Sequence, residues 1–443
     1  MESQKESRIN HNQRKPSGNI ALFLSLPVLS WAFYDFANTI FSSNINTIFF
    51  PFYVEESVGT NEQMKQIAST FISYANSIAS FFLVLFAPLF GVLIDRTGQK
   101  KKYIMMFTLI SVCATFLMGI FAQTNLGATL WDLPLSIILV ILFFIIAKFF
   151  FNSSLVFYDS MIGDLGTKEQ IPLISGFGVA VGYIGTLVGL AVYPFVDAAY
   201  QAFIPTAILY LLFSIPLFIV IKDTPIVQTE KKSIFSGYKD IYKTFKDMKS
   251  YRNIFTFMLA YFFINDALAT AIALMAVYAT AIVGFSSDAF VLLYLVSTVT
   301  SIIGSFVFGY ITKAVGAKRA VTFVGILLVV SLLIAVFAVS TSMFWIAGSL
   351  FGVSLGSMWV TSRTLIVELT PDEKRGEFFG LFAFSGKVSA IIGPLVYGTI
   401  TLLLSDYGNI ASRIAMGSMI ILAFIGLIIH TKVRTEKFKL INK

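Results

Sequence analysis

Runs of about 20 consecutive apolar residues recur from one end of this sequence to the other, the length a helix rising about 1.5 Å per residue needs to cross a hydrocarbon layer about 30 Å thick. Of the 443 residues 57% are hydrophobic and 13% charged, with a mean hydropathy of +0.82; soluble domains carry about 25% charged residues. No soluble core can hide so much apolar surface, so lipid must solvate most of the chain. Inside lipid every backbone N–H and C=O needs a partner within the chain, which leaves helices and closed barrels. A barrel strand alternates apolar and polar residues, and LPLSIILVILFFIIA (133–147) does not. The expected class is an all-α polytopic membrane protein.

Apolar runs between polar breaks predict twelve transmembrane spans, numbered 1 to 12, at 28–53, 67–94, 103–122, 133–156, 173–194, 200–221, 253–283, 288–312, 320–339, 342–362, 377–404 and 410–430. Pro27 is expected to separate a short interfacial segment from span 1. The polar first 17 residues, with no small-residue cleavage site after the first apolar run, predict that span 1 is retained rather than removed as a signal peptide. Basic residues concentrate in the two tails and in the loops at 95–102, 159–172, 222–252, 313–319 and 364–376, whereas the opposite loops carry Lys65. That asymmetry places both termini and the 222–252 linker in the cytoplasm. It also accounts for the net charge of +8 as anchoring at anionic lipid, with no nucleic acid. Cys113 stands alone, and His11 and His430 lie near the chain ends, so neither a metal centre nor a cofactor is expected.

The linker divides the chain into a tail (1–19), a six-helix bundle (20–221), the linker itself (222–252), a second bundle (253–431) and a final tail (432–443). The two halves repeat one another. GVLIDRTGQKK (91–101) matches GYITKAVGAKR (309–319), and Asp164, Gly176, Gly182 and Gly189 answer to Glu368, Gly380, Gly386 and Gly393. AFYDFAN (32–38) in span 1 is similar to FFINDAL (262–268) in span 7, which sets Asp35 opposite Asp266. Three matches in the same order predict two parallel, pseudo-symmetric repeats.

GVLIDRTGQKKK (91–102) resembles the loop signature of the major facilitator superfamily between its second and third helices. SWAFYDFANTIFSS (30–43), SGFGVAVGYIGTLVG (175–189) and EFFGLFAFSGKVSAIIGPLVYG (377–398) are similar to the autophagy-related vacuolar effluxer family and its prokaryotic relatives. The resemblance implies the major facilitator fold, with spans 1, 4, 7 and 10 around a central cavity, and, from the fungal members, amino-acid export. It further implies that Asp95 meets the helix N-terminus of span 11 near Gly376 and Glu377 and latches the two halves. Arg96, Lys100 and Arg363 are candidates for the same charge network, together with Asp164, Glu368, Arg375 and Asp159, which the repeat sets opposite Arg363. Gly91 and Gly98 are read as a close-packing position and a tight turn.

Ionisable residues inside the bilayer carry the sharper message, because a charge at a span centre costs at least about 2.5–3.5 kcal/mol. Asp35, Lys148, Asp266 and Lys387 form this set. Two acids and two bases can neutralise one another across the seam, or meet the ammonium and carboxylate of a zwitterionic solute. The structural alternative is that Lys148 snorkels to headgroups and that either aspartate caps a broken helix. For proton coupling Asp35 is the candidate, with Tyr34 and Asn38 as hydrogen-bond neighbours; Asn44, Asn46 and Asn265 are further polar candidates. The glycines of span 5 (178, 182, 185, 189) read as a close-packing face, and Gly393-Pro394 as a weak point of span 11.

GLFAFSGKV (380–388) lacks phosphate-loop spacing, so ATP is not expected to drive the cycle directly. The expectation is a monomeric secondary transporter for a small polar solute in the lipid bilayer, with protons as the candidate coupling ion and no enzymatic activity. Its membrane is the cell (inner) membrane, or a vacuolar or lysosomal one in a eukaryote. The rival readings are an exporter of amphipathic compounds and a receptor or scaffold without turnover.

Overall fold

In the computed structural model the described residues are 19–58, 62–124, 127, 129–130, 133–223, 239, 250–279, 287–404 and 409–434. The expected tails therefore lie largely outside them, as does the linker from 224 to 249 apart from Lys239. The first half contains α1 (Asn19–Phe23), α2 (Leu26–Phe41), α3 (Phe50–Val58), α4 (Glu62–Thr97), α5 (Lys100–Gln123), α6 (Leu135–Met161), α7 (Ile171–Leu190) and α8 (Phe203–Val220). The second contains α9 (Arg252–Tyr278), α10 (Ser287–Val315), α11 (Ala317–Val336), α12 (Thr341–Leu369), α13 (Arg375–Leu403) and α14 (Asn409–Thr431). A two-residue hairpin, β1 (Thr129–Leu130) antiparallel to β2 (Leu133–Pro134), joins α5 to α6.

Among the described residues ten helices are long and apolar enough to cross a membrane. Helix also runs through 26–58 and 375–403, where spans 1 and 11 were expected. The break between α1 and α2, with Pro27 in the first turn of α2, is the separation the sequence predicts. Span 1 holds a surprise. Between α2 and α3, Ser42–Phe49 winds as a π-helix, whose wider turn lets Asn44 Nδ2 donate to Thr206 Oγ1 of α8 at 3.0 Å.

The packing is duplicated. In the first half α2 packs on α7 and α8, α4 on α6, and α5 on α6 and α8; in the second half α9 packs on α13 and α14, α10 on α12, and α11 on α12 and α14. The two halves meet along two equivalent seams, α4 against α13 and α10 against α7. In lipid such contacts depend on close approach rather than on the hydrophobic effect, so small residues mark them. Gly91 and Gly380 touch across one seam, and their repeat counterparts Gly309 and Gly176 touch across the other. The outer surface presents residues such as Phe81, Leu142, Ile219 and Phe424 to lipid.

The span 5 glycines pack against span 1, as expected: a Cβ at Gly178 would strike Trp31, at Gly182 the Asp35 carboxylate, and at Gly185 the Phe36 carbonyl. Gly98 and its counterpart Gly316 end α4 and α10 with φ of +63° and +87°. An L side chain is strained in this left-handed region. Gly98→Ala and Gly316→Ala are each expected to cost about 1 kcal/mol, read as a lower thermal midpoint of the purified protein.

Candidate solute site and the latch at the seam

At one end of the molecule the loop between α4 and α5 meets the start of α13. The first amides of a helix have no intrahelical partner and carry partial positive charge. Asp95, in the last turns of α4, answers both of those it faces: Oδ1 accepts from the Gly376 N–H and Oδ2 from the Glu377 N–H, each at 2.7 Å. Glycine makes this approach possible, since a Cβ on Gly91 would overlap the Gly376 carbonyl oxygen and one on Gly376 would strike Ile94. A second tie crosses the seam beside it. Asp164 pairs with Lys100 at 2.5 Å and with Arg375 at 3.1 Å, and Arg375 also pairs with Asp372 at 2.5 Å. Arg96 sits in the last turn of α4 at this end.

Glu368, the counterpart of Asp164, forms no ion pair in this tie among the described residues; it lies near the Ala317 backbone at the start of α11 and within electrostatic reach of Lys168 in the other half. Asp223 escaped the sequence reading. It accepts the Lys101 and Lys102 amides at 2.7 and 3.0 Å and so caps α5.

Arg363 does not belong to that network. Spans 4 and 10 run on past the expected ends at 156 and 362, to Met161 and Leu369, so that Asp159 and Arg363 lie inside helices. Arg363, 7% exposed, pairs with Asp159 at 2.7 Å, and its guanidinium stands 5.4 Å from the Trp31 ring and 5.7 Å from the Tyr158 ring. Trp31 and Tyr158 stack at 4.7 Å, and Trp31 Nε1 donates to the Tyr158 carbonyl at 3.3 Å. The two charged residues are repeat counterparts, so this ion pair joins equivalent points of the two halves. One guanidinium nitrogen, Nη1, has no hydrogen-bond partner.

The four interior charges do not neutralise one another: among the described residues no ion pair links Asp35, Lys148, Asp266 and Lys387. Lys387 donates instead to Asn152 Oδ1 at 2.9 Å, across the seam between α13 and α6. Asn152 Nδ2 in turn donates to the Lys148 carbonyl at 2.9 Å, and the Lys148 ammonium donates to Asn76 Oδ1 of α4. Lys148 is therefore held between helices instead of snorkelling to headgroups.

Asp35 lies against Gly182, within electrostatic reach of Arg363 and Asp159. Tyr34 does not serve it. The Tyr34 hydroxyl donates to Ser154 Oγ at 3.0 Å and shares a hydrogen bond with Thr108 Oγ1 at 2.6 Å, on the opposite face of α2. Asn38, 3% exposed and with neither side-chain polar atom partnered, is the remaining neighbour. The Asn46 Oδ1 is likewise unpartnered.

The pairing of Asp35 with Asp266 is corrected by one residue. Asp35 packs on Gly182, and the counterpart of that glycine, Gly386, faces Asn265, whose Nδ2 donates to the Gly386 carbonyl at 3.0 Å and to Ser389 Oγ at 2.8 Å. Asn265 is thus the equivalent of Asp35. Asp266, about 100° further round the helix, is fully buried and accepts the Gly393 amide at 2.7 Å. This is the capping geometry, at the residue before a proline that can donate no hydrogen bond.

The comparisons now bear on this arrangement. The family described as "Vacuole effluxer Atg22 like" matches residues 57–440. The chain belongs to that family. It is 27% identical over 422 residues to the uncharacterized MFS-type transporter YxiO of Bacillus subtilis, covering 92% of this chain and 94% of that one. It is 23% identical to autophagy-related protein 22 of Kluyveromyces lactis, over 75% of this chain and 74% of the relative. Among solved structures, an outward-facing bacterial homologue of the iron transporter ferroportin superposes with a TM-score of 0.73 at 14% identity, over 93% of this chain and 99% of that one. The proton:xylose symporter XylE superposes with 0.66 at 13% identity, over 94% and 96%. At such identities these structures establish the fold alone, and it is the major facilitator fold of two pseudo-symmetric bundles. The protein is accordingly a multi-pass integral membrane protein and a secondary transporter. Asp35, Lys148 and Arg363 lie on α2, α6 and α12, three of the four helices that the resemblance implied around a central cavity.

Proposed function

We propose that this Atg22-like transporter moves a small polar solute bearing a carboxylate and an amine, an amino acid or a similar metabolite, by alternating access. One observation carries the reading: charges from both halves, Asp35, Asp159, Arg363, Lys148 and Lys387, gather at the seam between the bundles, where a rocking motion alternately exposes and covers them. Buried charge in a membrane persists when it serves a pathway. The shut end, with Asp95 across the α13 amides, is the cytoplasmic one in this reading, because the basic loops cluster there and both termini share that side. Asp35 is the proposed coupling or ammonium-binding carboxylate, with Asn38 beside it.

The test is counterflow and uptake in proteoliposomes, under an imposed proton gradient, with a panel of amino acids, organic acids, sugars and nucleosides. Asp35→Asn is expected to lower flux of the transported solute at least about tenfold, the loss of one charge-assisted contact. If no solute shows Asp35-dependent flux, the proposal falls. Undiminished flux of hydrophobic cations in Asp35→Asn and Lys148→Ala would favour the amphipath exporter.

A further inference from the structure

We infer that Lys148 and Lys387 together form an oxyanion site spanning the seam, and that it takes a carboxylate of an organic acid carrying net negative charge. The inference rests on the transporter reading above and shifts its substrate from a zwitterion to an acid of net negative charge, with or without an amine. Asn152 sits one helical turn beyond Lys148 on α6, tied to the Lys148 carbonyl at 2.9 Å through Nδ2, and receives the Lys387 ammonium on Oδ1 at 2.9 Å. That chain of contacts brings the two ammonium groups to the same level of the seam, one from each half. They lie within electrostatic reach of one another.

Each lysine meets a neutral amide oxygen, of Asn76 and of Asn152, where a permanently structural lysine would meet a carboxylate. Asp159 pairs with Arg363 at 2.7 Å, Asp266 accepts the Gly393 amide and Asp35 lies against Gly182; among the described residues none of the three forms an ion pair with either lysine. Asp159 lies within electrostatic reach of Lys387 but is paired with Arg363; two ammonium groups that hold no carboxylate of their own among the described residues are costly in a low-dielectric seam, and a bound oxyanion lowers that cost. Lys148 also stands 5.7 Å from the Phe144 ring, which is fully buried and stacked on Phe50. Because the donors come from opposite halves, the anion completes the site only when the bundles are together, which links loading to closure.

The experiment uses the purified full-length protein, with thermal stabilisation by succinate, L-glutamate, L-alanine and inorganic phosphate titrated in parallel with counterflow in proteoliposomes. Succinate and glutamate are expected to stabilise the protein, and the apparent affinity for each to weaken about tenfold or more in Lys148→Gln and in Lys387→Gln. Lys148→Arg and Lys387→Arg, which retain the charge, are expected to stay within about threefold, and they replace any glutamine variant that is not monodisperse. Unchanged affinity in the charge-removing variants overturns the inference, as does stabilisation by phosphate alone. Flux of alanine that depends on Asp35 and not on either lysine overturns it too, while leaving the transporter reading intact. Lysine-dependent binding without flux of any solute sinks the transporter reading instead.

Discussion

Arg363→Ala is expected to lower the stability of the purified protein by about 3–5 kcal/mol, seen as an early thermal midpoint and poor recovery from the membrane. The substitution removes the counter-charge 2.7 Å from Asp159 and leaves that carboxylate alone in the seam. It also empties the space beside Trp31 and Tyr158, whose rings flank the guanidinium. Arg363→Lys keeps the charge but not the planar fork and is expected to fall in between. The double variant Asp159→Asn with Arg363→Gln removes both charges, and its midpoint is expected to recover most of the loss, because the penalty comes from the unpaired charge rather than from the missing attraction. Flux is expected to be absent in Arg363→Ala and in the double variant, since neither keeps the guanidinium at the seam, and reduced in Arg363→Lys. A single variant as stable as the parent would show that the pair does not hold the halves together.

The sequence made the frame legible because lipid imposes its own ruler. Spans 3, 5, 8 and 12 fall within four residues of their predicted ends. The errors have a common cause. Spans 4 and 10 were stopped short of Asp159 and Arg363, yet in a bundle interior charged residues continue a helix when a partner on another helix satisfies them, as Asp159 and Arg363 satisfy each other. The π-turn at Ser42–Phe49 left no periodic trace, since its polar residues SSNIN fit either winding. Asn265 and Asp266 are adjacent and both polar, so alignment by type chose the wrong one, although AFYDFAN laid residue for residue on FFINDAL sets Asp35 on Asn265; on α9 the first faces Gly386 and the second bonds to Gly393. Tyr34 was paired with Asp35 by adjacency alone, although neighbouring residues on a helix point in different directions. By contrast, the contact of Asp95 with the start of span 11 was readable from a resemblance, whereas the repeat marked Asp159 and Arg363 only as equivalent positions and the sequence reading set both in the Asp95 network instead of pairing them with each other.

That duplication has a mechanical consequence. The seams α4 against α13 and α7 against α10 are built alike from glycine contacts, but only one carries the Asp95 ligature, because the position matching Asp95 in the second repeat is Lys313. The two seams are equal in packing and unequal in electrostatics. A latch present on one seam only can release without dismantling the other, so the opening of this end is expected to depend chiefly on Asp95, with the Asp164 tie as the weaker second contact.

Asp95→Ala is therefore expected to shift the protein away from the shut conformation at this end and to cut transport by at least about tenfold. Two short hydrogen bonds donated by helix-terminal amides to a carboxylate are among the stronger polar contacts available, each worth about 1.5–3 kcal/mol, and a shift of about 3 kcal/mol changes a two-state ratio more than a hundredfold. Spin labels at Lys102 and Glu373, exposed residues on opposite halves, report the separation directly. In the parent the short-distance population should dominate; in Asp95→Ala the long-distance population should. Asp95→Asn retains one acceptor oxygen and is expected to lie between them. Asp164→Ala, which removes the partner of Lys100 and Arg375 while leaving Asp95 on its amides, should widen the end less. If the distance distributions of Asp95→Ala and the parent coincide while transport is lost, the carboxylate acts on something other than the closure of this seam, and the latch assignment fails.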